Sequence, residues 1–184
     1  MEKNKLNNKM REVKIEKVVL NIGGTEEKLN KGFILLQKIS GKKPVKVKAK
    51  KRIPTWGVRP GLEVGTKVTL RGEEAEKILE KLFQAINNKL KEKQVRENFA
   101  SFGIHEYIDI PGFEYIREVG IMGLEVTVVF TRAGKRIERK KVKRGLTRRQ
   151  AVSIEEIEEF LDKKFKTKIM RKEKKWQQVT GKRY

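Results

Sequence analysis

Cysteine is absent from this 184-residue chain, and histidine occurs once. Without cysteine the chain cannot form a disulfide, a thiolate nucleophile or a thiolate-bound metal site. Three serines and two aspartates leave few residues for a catalytic triad or a two-metal nuclease site. His105 lies next to Glu106, but a lone histidine is better explained as a packed or surface side chain than as a catalytic base. We therefore predict a protein that is not an enzyme and uses no cofactor or metal.

Long apolar runs and nucleotide-binding motifs are lacking as well. No stretch approaches the roughly 18 apolar residues of a membrane helix, and residues 1–10 lack the apolar core of a signal peptide. Neither G-x-x-x-x-G-K-[ST] nor G-x-G-x-x-G occurs in the sequence, so nucleotide hydrolysis has no support. We predict a cytoplasmic protein with no membrane partner and no small-molecule substrate.

Positive charge is what the chain has in excess. It contains 46 Lys and Arg against 24 Asp and Glu, a formal net charge of +22. Such a charge repels itself in the free protein and attracts polyanions, of which nucleic acid is the first candidate. Hydrophobic residues still make up 37% of the chain and fall into periodic segments, so we expect a folded domain.

The hydrophobic periodicity predicts both strands and helices. Residues alternate with a period of two over 13–22, 45–49, 62–70 and 124–130. The first of these segments changes phase between Ile15 and Val18, which predicts a β-bulge or a bend within the strand. Residues 98–120 are aromatic and interrupted by Gly and Pro, which indicates irregular structure and short strands packed against the sheet.

Helical spacing appears in three segments. Apolar residues follow one helix face over 29–39, before Gly41, and over 75–90. Ser153 and Glu156 match a capping box at the start of a third helix that extends to Phe165. Because the helices do not alternate strictly with the strands, we predict an α+β fold: an antiparallel or mixed sheet with about three helices mainly on one face.

The domain organisation follows from the same patterns. We predict one α+β domain over residues 10–165 that carries a long basic hairpin loop. Residues 1–9 are predicted to form a flexible arm, because they contain almost nothing to bury. Residues 166–184 are predicted to form a basic C-terminal extension that is disordered in the free protein.

Two neighbouring strands combine into a candidate basic surface. Lys46, Lys48 and Lys50 alternate along one predicted strand, with a spacing of about 6.6 Å if they share a face. Lys67, Thr69 and Arg71 alternate in the same way along the next strand. If the two strands pair as a hairpin, these side chains form a lattice suited to phosphate oxygens. The alternative is an ordinary solvated face.

The loop between these two strands holds a candidate stacking residue. Residues 52–61 contain two of the four prolines, and Trp56 lies between Arg52 and Arg59. An exposed tryptophan flanked by cations suits unpaired RNA bases. A tryptophan that folds back onto the core is an equally good interpretation of the sequence.

Four longer motifs resemble one protein family. They are EKVVLNIGG over 16–24, RPGLEVGTKVTLRG over 59–72, FGIHEYIDIPGFEY over 102–115 and GIMGLEVTVVFTRAGKRIERKK over 120–141. In this order they resemble the universal large-subunit ribosomal protein L-five family, of the archaeal and eukaryotic type. The resemblance extends from about residue 10 to 165. At Lys42, Val47 and Arg52 the chain departs from the residues that are usual in the family.

The resemblance implies an α+β fold, no catalysis, and a structural place in the large ribosomal subunit. It implies binding of 5S ribosomal RNA in the central protuberance, beside large-subunit ribosomal RNA and neighbouring 5S-binding ribosomal proteins. It further implies contacts with P-site transfer RNA and with a small-subunit head protein at an inter-subunit bridge.

The resemblance also implies candidate site residues by position, and Lys46, Lys48 and Lys50 are added mainly for their charge. The residues expected on ribosomal RNA are Asn21, Lys46, Lys48, Lys50, Arg52, Arg59, Lys67, Thr69 and Arg71. The loop expected to face transfer RNA consists of Ile53, Pro54, Thr55, Trp56, Gly57 and Val58. The alternative function is a general basic, chromatin-type nucleic-acid-binding protein without preference for 5S RNA.

Overall fold

The computed structural model describes residues 8–145 and 150–171. They form three α-helices, eight β-strands and several short 3₁₀ turns. The helices are α1 (Glu26–Ser40), α2 (Glu73–Ala85) and α3 (Ile154–Phe165). The strands are β1 (Lys14–Gly23), β2 (Val45–Lys48), β3 (Glu63–Leu70), β4 (Lys89–Lys91), β5 (Val95–Arg96), β6 (Phe99–Ile104), β7 (Leu124–Thr131) and β8 (Lys168–Met170).

Six strands form an antiparallel sheet in the order β2-β3-β1-β7-β6-β5. The β1 strand lies between β3 and β7, and its alternate residues Val18, Leu20 and Ile22 are buried. The register between β1 and β7 shifts between Ile15 and Lys17, which confirms the predicted bulge. The strands β4 and β8 form a separate parallel pair.

All three helices lie on one face of this sheet. Phe83 of α2 stacks on Phe102 of β6, with ring centroids 5.2 Å apart. Phe160 of α3 meets Phe130 of β7 edge-on at 5.7 Å. Helix α1 approaches so closely that a side chain at Gly32 would lie within 3.0 Å of the Ile22 Cγ2 atom. The predicted α+β class, with three helices on one face, is confirmed.

Two helix ends match the signals in the sequence. Gly41 follows α1 in the left-handed conformation, with φ of 64°, and its N–H donates to the Gln37 carbonyl. Ser153 caps α3: its hydroxyl accepts from the Glu156 N–H, and the Glu156 side chain accepts from the Ser153 N–H. Both boundaries are therefore set by local chemistry.

The predicted second helix is too long. Helix α2 ends at Ala85, whereas the apolar stripe in the sequence continues to Leu90. Asn87 and Asn88 both adopt positive φ, a conformation that asparagine tolerates better than most residues. Leu90 is fully buried, but it belongs to β4. The stripe continues across the turn because the strand buries the next apolar residue in the same core.

The C-terminal boundary also differs from the expectation. Thr167 is buried, and the Lys168 N–H donates to the Asn88 carbonyl at 2.8 Å. Residues 168–170 then pair with β4, so the first part of the predicted extension belongs to the folded domain. The rest of that extension and most of the predicted N-terminal arm lie outside the described residues, as do residues 146–149.

An irregular segment after β6 packs against the core, as predicted. Tyr107, Ile110 and Val119 are buried in it. The Tyr107 hydroxyl oxygen accepts a hydrogen bond from the Ile116 N–H at 2.8 Å. One buried side chain therefore holds the segment in place through both packing and a hydrogen bond.

Replacing Tyr107 by Phe is expected to lower the free energy of unfolding by about 1–3 kcal/mol, because the Ile116 N–H loses its acceptor inside the fold. The matched control is Tyr115→Phe, since Tyr115 is 57% exposed. That control is expected to change stability by less than about 0.5 kcal/mol. Urea titration followed by circular dichroism measures both. Equal effects of the two substitutions would contradict the role of the hydrogen bond.

Candidate nucleic-acid interface

The sheet face opposite the helices presents a polar row across four strands. Lys67 of β3 lies opposite Asn21 of β1, and Asn21 lies opposite Glu125 of β7. Glu125 in turn lies opposite Gly103 of β6. Directly opposed residues of antiparallel strands point to the same face. We call this surface, on the side away from the three helices, the open face.

A second row on the open face carries hydroxyl groups. Thr69 lies opposite Val19, Val19 opposite Thr127, and Thr127 opposite Ser101. A third row contains Lys17, Val129 and Phe99, which register with one another across β1, β7 and β6. The members of these rows are half-buried or exposed. Hydroxyl, amide and ammonium groups on a flat sheet can donate hydrogen bonds to phosphate and ribose oxygens.

Two acidic side chains organise the polar groups at this surface. The Asn21 Nδ2 atom donates to the Glu125 Oε2 atom at 3.2 Å, which fixes the nitrogen end of the amide toward β7. Arg71, just beyond β3, has its Nη1 atom 3.7 Å from the Glu16 Oε1 atom. Asn21 on β1 therefore lies beside Lys67 and Thr69 on β3 and Arg71 just beyond it. The sequence predicted these residues as candidates but not that their two strands are neighbours.

The lysines of β2 do not join this group. Lys46 lies opposite Thr66, whose side chain is buried on the helix side of the sheet. Val45 and Val47 lie opposite Lys67 and Gly65, so the valines and not the lysines extend the open face. The strands pair as predicted, but the predicted single lattice is wrong. The reason is the register: side chains alternate with a period of two, so a one-residue offset exchanges the two faces.

Lys46 and Lys48 instead lie at the helix-side edge of the sheet. The Lys46 Nζ atom is 2.9 Å from the Glu63 Oε2 atom. Lys48 lies opposite Glu63, where the register between β2 and β3 shifts. The charge of Lys46 is thus partly offset by a carboxylate, whereas Lys67 is exposed between Val45 and Asn21 in the first row.

The β2–β3 connection is an extended hairpin with a closed tip. The Ile53 and Val58 backbones exchange two hydrogen bonds, of 2.9 and 3.1 Å. Between them, residues 54–56 form a 3₁₀ turn that ends at Gly57, which has φ of 64°. Trp56 is 76% exposed, so the interpretation that it folds back onto the core is wrong.

The remaining predicted loop residues follow from this geometry. Val58 is buried and Ile53 is half-buried, so these two anchor the tip to the domain. The exposed members of the loop are Lys50, Arg52, Pro54, Thr55, Gly57 and Arg59. The structure thus separates the candidate residues into three places: the open face, the helix-side edge and the hairpin loop.

Sequence reasoning missed several residues of the open face. Lys17, Ser101 and Phe99 were not predicted as site residues, although each lies in the rows described above. Thr127 alternates with apolar residues along β7, as a solvent-facing residue of a strand does, and this alternation was visible in the sequence. Which strand each segment pairs with was not visible, and only that pairing assembles the rows.

Neither a metal cluster nor a membrane-spanning helix occurs among residues 8–145 and 150–171. Within these ranges, no three His, Asp or Glu side chains come together as metal ligands would. None of the helices in the described part of the chain has the length and apolarity needed to cross a bilayer.

The antiparallel sheet is covered by helices on one face and presents hydrogen-bond donors on the other, in a chain of charge +22. This arrangement is the architecture of a scaffold for a polyanion. Comparison with known proteins agrees with this class. The family described as "Ribosomal protein L5" matches residues 8–59, and the model for the C-terminus of the same ribosomal family matches residues 63–154.

Three relatives carry the name "Large ribosomal subunit protein uL5". The protein of Nanoarchaeum equitans is 50% identical over 152 residues, which cover 80% of this chain and 90% of the relative. The protein of Sulfurisphaera tokodaii is 42% identical, covering 89% and 95%. The protein of Sulfolobus acidocaldarius is 39% identical, covering 92% and 98%.

The chain therefore belongs to the ribosomal protein L5 family, as its motifs predicted. Members of this family are structural, non-enzymatic proteins of the large ribosomal subunit and are cytoplasmic ribosome components. The predictions of a non-enzymatic ribosomal protein and of its location are confirmed by this membership. The individual RNA-contacting residues stay predictions.

Removing the carboxylate charge from the open face is expected to strengthen polyanion binding. In Glu125→Gln the side-chain oxygen still accepts from the Asn21 amide, but its negative charge is gone. The affinity for ribosomal RNA is expected to rise roughly fivefold, the equivalent of about 1 kcal/mol between charges about 4 Å apart in water. Filter binding at fixed salt measures it. The control Glu80→Gln removes a charge from the exposed side of α2. An equal gain from both would show that only net charge matters.

Proposed function

We propose that the protein binds 5S ribosomal RNA through the open face and anchors it in the central protuberance of the large subunit. The observation that carries the proposal is the row formed by Lys67, Asn21 and Glu125, together with the hydroxyl row beside it. Neighbouring 5S-binding proteins and large-subunit ribosomal RNA complete this environment in the proposal.

The chemistry of the open face suits folded RNA better than a simple charged surface would. Its donors are spread at strand spacing, so they can follow a phosphate backbone. Val45 is 60% exposed and Phe99 is 40% exposed on the same face. Apolar groups among donors pack against riboses and unpaired bases. Backbone contacts would supply the affinity, and the shape of the RNA would supply the selectivity.

Charge reversal at Lys67 is the direct test of this proposal. Lys67→Glu is expected to weaken binding of 5S RNA by about tenfold or more, because one phosphate contact is lost and a like charge is introduced. Lys77→Glu is the matched control, since Lys77 is exposed on α2 and the change in net charge is the same. Filter binding of both variants measures the difference.

The salt dependence and a second variant sharpen the result. Lys67→Ala is expected to reduce the slope of log affinity against log salt by about 0.7–0.9 in magnitude. Lys46→Glu is expected to behave like the α2 control, because Lys46 lies on the helix side. If Lys67→Glu and Lys77→Glu weaken binding equally, and duplex DNA competes as well as 5S RNA, the protein is a general basic nucleic-acid-binding protein.

We also propose that the hairpin tip, residues 53–58, contacts P-site transfer RNA. The exposed Trp56 at this tip supports the proposal. Trp56→Ala is expected to leave 5S RNA affinity within about twofold and to weaken P-site transfer RNA binding by reconstituted large subunits by at least about fivefold, since a stacked base is worth about 1–3 kcal/mol. Trp56→Phe should retain most of the binding. Unchanged transfer RNA binding by the alanine variant would contradict this role.

Contact with a small-subunit head protein requires a surface that is not occupied by RNA. Residues 105–118 contain four acidic residues and one arginine, and all four acidic residues are exposed. This local reversal of the chain's charge favours a basic protein partner. Replacing Glu114 and Glu118 by Gln is expected to weaken association of the two subunits and to spare 5S binding. Sedimentation of reassociated subunits measures it, and unaltered association would contradict the placement.

A further inference from the structure

A cavity lies between the hairpin loop and the start of α1. Its volume is about 730 Å³, within the range of roughly 300–1,000 Å³ that is usual for small-ligand sites. Its lining combines apolar side chains, the two glycines of the β1–α1 turn and three exposed lysines, which we call the rim. The lining residues are Gly23, Gly24, Thr25, Lys28, Ala49, Lys50, Lys51, Ile53, Trp56, Val58 and Val64.

We propose that this cavity receives one unstacked nucleotide of an RNA, with its base between the apolar walls and its phosphate on the rim lysines. The proposal rests on the RNA-binding function above but concerns a different surface from the open face. It gives a role to the β1–α1 turn, which no part of the proposed 5S interface uses.

The walls have the chemistry that a base requires. The Trp56 ring is largely solvent-exposed and also borders the cavity, so one π face is available for stacking. Ile53, Val58 and Val64 complete an apolar enclosure of the kind that holds a flat, weakly polar ring. A purely apolar occupant would not explain why charged side chains surround this enclosure.

The rim has the chemistry that a phosphate requires. Lys28, Lys50 and Lys51 border the cavity, and none of the described residues that line it is acidic. Glu26 and Glu27 follow in the first turn of α1 but do not line the cavity. Three cations beside an apolar, aromatic enclosure match a nucleotide, which is anionic at one end and aromatic at the other.

The glycines permit close approach of the RNA. A Cβ atom at Gly23 would meet nothing within 4 Å, so the backbone is bare on that side. At Gly24 a Cβ atom would lie 2.8 Å from the Lys28 Cβ atom, so only glycine allows the present path into α1. The paired glycines therefore both close the turn and keep the cavity open.

Trp56 fluorescence tests the proposal in the full-length chain. The sequence has two tryptophans, so Trp176→Phe leaves Trp56 as the only one. Excitation at long wavelength, with AMP as the probe, is expected to give saturable quenching. Ribose 5-phosphate at equal ionic strength is expected to give none, because it lacks the base. Quenching that is linear in AMP and equal to that of free N-acetyltryptophanamide would overturn the proposal, since it would show only collisions with an exposed ring.

Variants distinguish the contribution of the apolar walls to AMP binding from the contribution of the rim lysines. Ala49→Phe fills the cavity and is expected to abolish the saturable component. Lys50→Ala combined with Lys51→Ala is expected to raise the Kd for AMP about fivefold or more. The matched control is Lys77→Ala combined with Lys81→Ala on α2, which removes the same charge and should leave the Kd unchanged. Equal effects of the two double variants would overturn the assignment of the rim, and with it the proposal.

Two further fluorescence measurements identify the RNA that supplies the nucleotide and separate this proposal from the proposed 5S function. Transfer RNA, and not 5S RNA, is expected to quench Trp56, because the hairpin tip is the part of the protein proposed to contact transfer RNA. The absence of quenching by transfer RNA would overturn the proposal. Lys67→Glu should lose 5S affinity but keep the quenching by AMP. If AMP binds while the wild-type chain shows no preference for 5S RNA, the cavity stands and the 5S function fails. If AMP does not bind while the wild-type chain binds 5S RNA with preference, the cavity proposal fails and the 5S function stands.

Discussion

The register of β1 between β3 and β7 decides which side chains of the sheet are buried and which are exposed. It places Val18, Leu20 and Ile22 under the helices. The same register places Asn21 beside Lys67 on the opposite face. A shift of one residue would expose the apolar side chains and bury the polar ones, at a cost far larger than any single contact at the surface. The core therefore also specifies the open face.

Positive charge supplies attraction, but its placement is what distinguishes the surfaces. Lys46 is paired with Glu63 at the helix-side edge, whereas Lys67 lies among amide and hydroxyl groups on the open face. The acidic segment after β6 presents the opposite sign. A chain of charge +22 can thus offer separate surfaces to folded RNA, to a stacked nucleotide and to a basic protein.

Much of the fold could be predicted because its signals are local. The β1 bulge, the Gly41 C-cap and the Ser153 capping box each follow from a few neighbouring residues. The end of α2 could not be predicted from periodicity, because Leu90 of β4 continues the apolar stripe. The β4–β8 pair joins residues about 80 positions apart, and no local pattern reports such a contact.

The residues of the candidate site likewise divide into those with a local sequence signal and those whose position depends on strand pairing. Lys67 and Thr69 were found from alternation within one strand, and Asn21 was assigned by its position in the family motif; the register shows that they share a face. The lysines of β2 were wrongly assigned to that face. Alternation within a strand separates its residues into two sets, but it does not say which set lies on the same side of the sheet as the polar residues of the neighbouring strand. Only the pairing of Val45 with Lys67 decides it.

Lysine footprinting can show whether ribosomal RNA binds the open face or the helix side of the sheet. The protein, alone and saturated with 5S ribosomal RNA, would be acetylated briefly, and the modification of each lysine would be quantified by mass spectrometry. If the RNA binds the open face, Lys67 and Lys17 will be strongly protected, and Lys77 and Lys81 of α2 will be unchanged. Protection of the α2 lysines with Lys67 still fully reactive would show that the RNA binds the helix side instead.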